Sequence, residues 1–168
     1  MTEKIEEKKT TISEDKKTKT SKENRTPLYI DADNLIVGRM ASFVAEKLLK
    51  GKTVIVLNAQ KAVYTGNEKV LIEKWRNRLK LAPKGNPMRG PKYSKLPDKL
   101  LRHAIEGMIP KKRQRGREAA RRLRVFMGIP KNYESNKKET IQKAKNTKIK
   151  KIITVMGLAE AIGYSPKK

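Results

Sequence analysis

The run Thr53-Val54-Ile55-Val56-Leu57 constrains the fold of this chain more than any other stretch. It is continuously apolar and β-branched, without the alternation of a strand that has one wet face. Such a run is the pattern of a strand buried on both sides. Upstream, Leu28-Tyr29-Ile30 gives a short strand signal. Between the two, Leu35 to Lys50 has helical periodicity. Met40, Phe43, Val44 and Leu48 share a face, and Gly51 is a natural C-terminal stop. Asp31, Asp33 and Asn34 are expected to supply the turn and the helix cap. Strand, helix and buried strand at this spacing make a βαβ unit with a parallel pair. The expected fold class is therefore α/β: a small parallel sheet built on a βαβ unit with flanking helices, plus basic loops and flexible terminal extensions.

Asn58 to Asn67 reads as a loop or short irregular strand at the carboxyl end of the buried strand, where open α/β sheets place their ligands. Thr65-x-x-Glu68 can form a capping box for a helix that runs to about Leu81. Leu71, Ile72, Trp75 and Leu79 stand at core spacing, and Lys69, Lys74, Arg76, Arg78 and Lys80 take the other side. Trp75, the single tryptophan, is in register with the apolar face, so it reads as core rather than as a platform for a base. Ala82 to Ser94 is broken by Pro and Gly and carries Lys84, Arg89 and Lys92. Prolines stiffen this loop, which lowers the entropy lost on gripping a nucleic-acid backbone. Pro97 suits the first turn of another helix, with Leu100, Leu101, Ala104, Ile105 and Met108 expected on its buried face.

Gly107 to Gly128 concentrates the charge. A turn at Gly107 and Pro110, with glycine expected to be needed for its conformation, leads into Lys111, Lys112, Arg113, Arg115 and Arg117. A helical pattern follows. Ala119, Ala120 and Leu123 lie near one another, while Arg117, Arg121 and Arg124 form a stripe on another face beside Arg122. Glu118 is the lone acid of the run. Val125-Phe126-Met127 either extends the helix or turns into a final strand. Like charges crowded this way repel, and a polyanion removes that penalty while releasing condensed counterions.

The totals agree. Lys and Arg number 42 against 17 Asp and Glu, a net charge of +25. Such a balance points to nucleic acid, and no apolar run approaches the roughly 18 residues of a spanning helix. No cysteine is present, which excludes disulfides and cysteine-based zinc sites and fits a reducing compartment. Residues 1–26 read as a disordered arm whose charges nearly cancel, residues 27–131 as an α/β RNA-binding domain, and residues 132–168 as a basic C-terminal extension. That extension is expected to lie on a partner's surface or in solvent, while Ile152–Val155 and Leu158–Gly163 read as a short strand and a helical turn closed by glycine, a small apolar patch expected to dock on the domain or on a neighbouring protein. Catalytic machinery is not visible. Gly85 and Gly90 have phosphate-loop spacing but are followed by Pro91-Lys92 and preceded by a helix. His103 has no second His or Cys to share a metal with. Two other classes fit the charge: a DNA- or chromatin-packaging protein and a nucleic-acid-modifying enzyme.

Three motifs then occur in order: Tyr29-Ile30-Asp31-Ala32 with Val37-Gly38-Arg39-Met40-Ala41-Ser42; Val56 to Lys61 with Thr65-Gly66-Asn67; and Ala104 to Pro110 with Arg124 to Gly128. Over Leu28 to Pro130 the chain resembles the universal ribosomal protein L-thirteen family of the large subunit. The Lys111–Arg122 stretch resembles its archaeal and eukaryotic branch. The arm of residues 1–26 is not part of that pattern. The resemblance implies a cytoplasmic, structural role on large-subunit ribosomal RNA beside neighbouring ribosomal proteins, with no catalysis, cofactor, metal, membrane or small-molecule substrate. It also implies a strand at about Arg124–Met127. The residues expected on RNA are Lys61; Arg76, Arg78 and Lys80; Lys84, Arg89 and Lys92; and Lys111, Lys112, Arg113, Arg115, Arg117, Arg121, Arg122 and Arg124. Their targets are phosphates and 2′-hydroxyls, because folded RNA is read largely by shape. Base stacking is not expected, since aromatics are 5% of the chain and do not interleave with the basic runs.

Overall fold

The computed structural model describes residues 26–81, 83–147 and 151–165. The charged arm expected over residues 1–26 lies outside them apart from Thr26. Strand β1 (Leu28–Asp31) leads to helix α1 (Val37–Leu49) and strand β2 (Val54–Leu57). Next come β3 (Val63–Thr65), α2 (Glu68–Lys80), α3 (Pro97–Gly107), α4 (Gln114–Arg121) and β4 (Leu123–Val125). Strand β5 (Ile152–Thr154) and α5 (Val155–Ala161) follow.

Strand β2 is central. It pairs in parallel with β1, Ile30 opposite Val56, and with β4, Ile55 opposite Arg124. All four of its residues are buried, as the unbroken apolar run requires. The final strand begins at Leu123, and Phe126 continues its ladder by donating to the Val56 carbonyl at 2.9 Å. A second sheet joins two segments that the sequence offers as short strands but does not pair. It is the antiparallel pair β3–β5, with Tyr64 opposite Ile153.

Helix α1 buries Met40, Val44 and Leu48 on one stripe, and Gly51 closes it at φ 91°. Phe43 stays at the margin, with the Lys47 ammonium 4.9 Å from its ring centre. The expected cap is absent. Ile36 holds the N-cap position, and its side chain makes no capping bond. The cause is tertiary: the Ile36 N–H donates to Ala144 and the Leu35 carbonyl accepts from Val63, so two other segments fix the approach to the helix. Asp31 makes a turn instead, accepting from the Asp33 N–H at 3.1 Å, and Asn34 takes the left-handed conformation at φ 53°.

Helix α2 is capped by Asn67, which accepts from Lys69 N, rather than by Thr65. Thr65 belongs to β3, opposite Ile152, and is not available to cap. Trp75 is the one buried residue of α2; Leu71, Ile72 and Leu79 only flank the core, and Val70 is exposed. Helix α3 starts with Pro97 and buries Leu100, Leu101 and Ile105. It ends at Gly107, which breaks the period. Met108 therefore points outward and Ile109 fills the core in its place.

Residues 133–147 and 151–165 do not stand off the domain. Glu139 bridges to the outer edge of β1, donating to Tyr29 and accepting from Asp31, and Ala144 enters the core. That cover matters because an unpaired strand edge invites pairing with another chain. Helix α5 packs on α3 and α2 and buries Val155, Leu158 and Ala159.

Candidate nucleic-acid interface

The loops at the carboxyl ends of β1, β2 and β4 are tied to one another. The Asn58 amide donates to Asp31 Oδ1 at 2.9 Å, and the Asn58 and Ala59 N–H groups donate to Gly128 and Phe126. Asn58 is left-handed, at φ 55°. The Asp31/Asp33 pair is thus spent on turn geometry, and this end of the sheet is a braced platform. Lys61 stands on it, exposed, beside a shallow hollow shared with Asp33, Asn34 and Gln60.

The arginine stretch divides by role. Arg115 donates to the Leu49 carbonyl at 3.3 Å and Arg122 to the Leu48 carbonyl at 3.2 Å. Two guanidinium groups therefore bind the last turn of α1, where carbonyls carry partial negative charge, and the Leu48 carbonyl also accepts from the Gly51 N–H. Both residues help hold the fold. Arg117 and Arg121 are exposed on α4. Arg124 is exposed too, but on β4, so the expected helical stripe of Arg117, Arg121 and Arg124 is broken at its third member. Helix α4 stops at Arg121 because Leu123 is drawn into pairing with Val54. Lys112 and Arg113 are exposed in the preceding turn.

Basic groups from three segments meet around α3. Glu106 takes Arg102 at 2.7 Å and Lys111 at 3.4 Å. Burial pushes the Glu106 carboxyl up, but these two cations together hold it below its ordinary value. Lys92 from the proline-rich loop and Lys99 from α3 line the adjoining cleft, together with Trp75. The Arg78 guanidinium sits 5.0 Å from the Trp75 ring centre, a cation–π contact. Arg76 donates to the Ala161 carbonyl at the end of α5, so it too carries a structural bond. Lys80, Lys84 and Arg89 are exposed. Searching for basic runs missed Lys99 and Arg102. Apolar neighbours separate them in the sequence, and their i, i+3 spacing on a helix was the available signal.

Counter-charge is scarce. Among the described residues three ion pairs form, Lys50–Glu46, Arg102–Glu106 and Lys111–Glu106. Most of the described lysines and arginines thus present an unneutralised surface, suited to a polyanion. No helix among the described residues is long and apolar enough to cross a membrane.

Comparison with known proteins shows the family. A family model described as ribosomal protein L13 matches residues 25–132. The "Large ribosomal subunit protein uL13" of Thermoplasma volcanium is 41% identical over 134 residues, which is 80% of this chain and 96% of that protein. The protein of the same name from Methanopyrus kandleri is 37% identical over 139 residues, 80% of this chain and 86% of the relative. That of Haloarcula marismortui is 46% identical over 103 residues, 61% of this chain and 68% of the relative. With its parallel three-stranded sheet and the match across most of its length, the chain belongs to the ribosomal protein L13 family.

Proposed function

We propose that the chain is a structural, non-enzymatic constituent of the large ribosomal subunit in the cytoplasm. There it binds and stabilises folded ribosomal RNA during assembly and translation, among neighbouring ribosomal proteins. The observation that carries this reading is an unneutralised basic surface on a chain of the L13 family. Lys84, Arg89 and Lys92, the exposed part of Lys111 to Arg124, Lys61, and Arg78 and Lys80 supply charge for phosphates. The exposed Arg76 and Arg115 use one N–H each on carbonyls of the fold and keep others for RNA, whereas Arg122 is part-buried with its Nε enclosed.

Sedimentation of a cell lysate at low and then high salt tests this. Loose electrostatic binding weakens by orders of magnitude with salt. An integral component stays with the large subunit through the high-salt wash, whereas release would return the chain to the class of loosely held basic proteins. A packaging protein would in addition bind duplex DNA as well as ribosomal RNA at one salt concentration, and here ribosomal RNA should be preferred.

A further inference from the structure

Met88 is 76% exposed, more than any other large apolar side chain among the described residues. It stands on a defined turn. Pro87–Arg89 form a 3-10 turn that Asn86 closes from both ends. The Asn86 side chain accepts from the Met88 N–H at 3.0 Å, and the Asn86 carbonyl accepts from the Arg89 N–H at 3.2 Å. Pro83 and Pro91 restrict the backbone on either side. The thioether is thus held out in water by a preset backbone, although covering an apolar side chain of this size is favourable.

Charge decides what covers it. No Asp or Glu occurs between Glu73 and Asp98, a stretch that holds Lys84, Arg89 and Lys92. Lys84 and Arg89, on either side of Met88 in the chain, are exposed, and neither belongs to an ion pair among the described residues. Such a loop attracts a polyanion and repels a basic protein. Phosphates satisfy the cations but offer nothing to a thioether. The apolar surface of RNA lies chiefly on the faces of its bases. Methionine is unbranched and polarisable, so it adapts to an aromatic ring and gains from sulfur contact with it. Nucleic-acid-binding proteins use apolar side chains, methionine among them, as wedges against partly unstacked bases.

We infer that Met88 is the apolar wedge of this loop, seated against the face of an unstacked base of large-subunit RNA, while Lys84 and Arg89 hold nearby phosphates. This rests on the RNA-binding reading and adds to it a contact that salt does not weaken. All four bases present such a face, so the contact selects an unstacked position in folded RNA and not a sequence.

The full-length protein is titrated with protein-free large-subunit ribosomal RNA over a series of salt concentrations. An apolar contact releases no counterions. Met88→Ala should therefore weaken binding about tenfold at every salt concentration and leave the slope of log affinity against log salt unchanged. Arg89→Ala should instead make that slope shallower by about one. Met88→Gln keeps the length without the apolar end and should match the alanine variant, whereas Met88→Leu should return to within about twofold of the parent. The side chain is exposed, so all three Met88 variants should unfold at the parent's temperature. Parental affinity in Met88→Ala, a changed slope in that variant, or full recovery in Met88→Gln overturns the inference while RNA binding stands. A Met88→Ala chain that binds the RNA normally but leaves the large subunit at high salt also overturns it, because the turn then meets a neighbouring protein. Failure of the wild-type chain to bind ribosomal RNA at all overturns the underlying reading and this one with it.

Discussion

The backbone of Gly116 touches that of Pro110: a Cβ at Gly116 would lie 2.1 Å from the Pro110 carbonyl oxygen and 3.2 Å from an Ile109 methyl. The basic turn thus packs flat against the start of α4. Gly116→Ala must push the two segments apart, at a cost of about 1–3 kcal/mol or more. The sequence reading placed this demand at Gly107, yet a Cβ there meets nothing within 4 Å, and Gly107 is the last residue of α3 without a positive φ. Gly107→Ala should be neutral or stabilising by up to about 1 kcal/mol. Thermal unfolding of both variants checks the pair, and a tolerant Gly116 would refute the close approach.

Asn58 couples the three loops at the carboxyl end of the sheet. Asn58→Gly keeps the left-handed backbone but deletes the amide donated to Asp31, for a loss of about 1–2 kcal/mol. Asn58→Ala also loses asparagine's tolerance of the left-handed conformation, which glycine adopts freely, and should cost about 1 kcal/mol more than the glycine variant. Urea midpoints in which alanine matches or beats glycine would show that the conformation carries no weight.

Tyr64 gives a pH signature. Its hydroxyl is buried without a partner among the described residues, and burial pushes its pKa up to about 12, against a smaller opposing pull from Arg78. A pKa above the unfolded value of about 10 means that the folded chain favours the neutral phenol. This stability is fully present below pH ~10 and is lost as pH rises toward 12, by an amount on the order of 2–3 kcal/mol. Tyr64→Phe should abolish that alkaline loss and be neutral or slightly stabilising at pH 7, because a lone buried hydroxyl gains nothing. Equal alkaline unfolding of the two proteins would contradict it.

The arginines of the Gly107–Gly128 stretch should separate by experiment. Arg117, Arg121 and Arg124 changed together to Glu should leave the fold of the isolated protein intact and prevent stable incorporation into the large subunit. Arg122→Ala should instead lower thermal stability by about 1 kcal/mol, through the carbonyl at the end of α1. Gradient fractionation alongside unfolding curves distinguishes the two effects. Normal incorporation of the triple variant would remove this surface from the RNA interface.

Much of this architecture is legible locally. The unbroken run Val54–Leu57 becomes the buried central strand, Gly51 ends α1, Pro97 opens α3, and Trp75 lies in the core. Each of these is set by a residue's own backbone preference or by period alone. What was misread depends on remote partners. Thr65 lost its capping role to the strand it forms with Ile152, and Arg124 left the helical stripe for a strand beside Ile55. No periodicity encodes such pairings.

The sequence by itself determined the class of fold, the strongly basic charge and the family, because hydrophobic period, net charge and ordered motifs are properties of the chain before it folds. The tertiary structure alone decided which cations remain for a ligand. Arg76, Arg115 and Arg122 lie among the basic residues singled out for RNA, yet each caps a carbonyl at the end of a distant helix. It also gathered Trp75, Tyr93, His103 and Asp98 into one cleft from three segments. Which groups meet across the core, and which are left unpaired, follows from long-range packing and is set only when the chain closes.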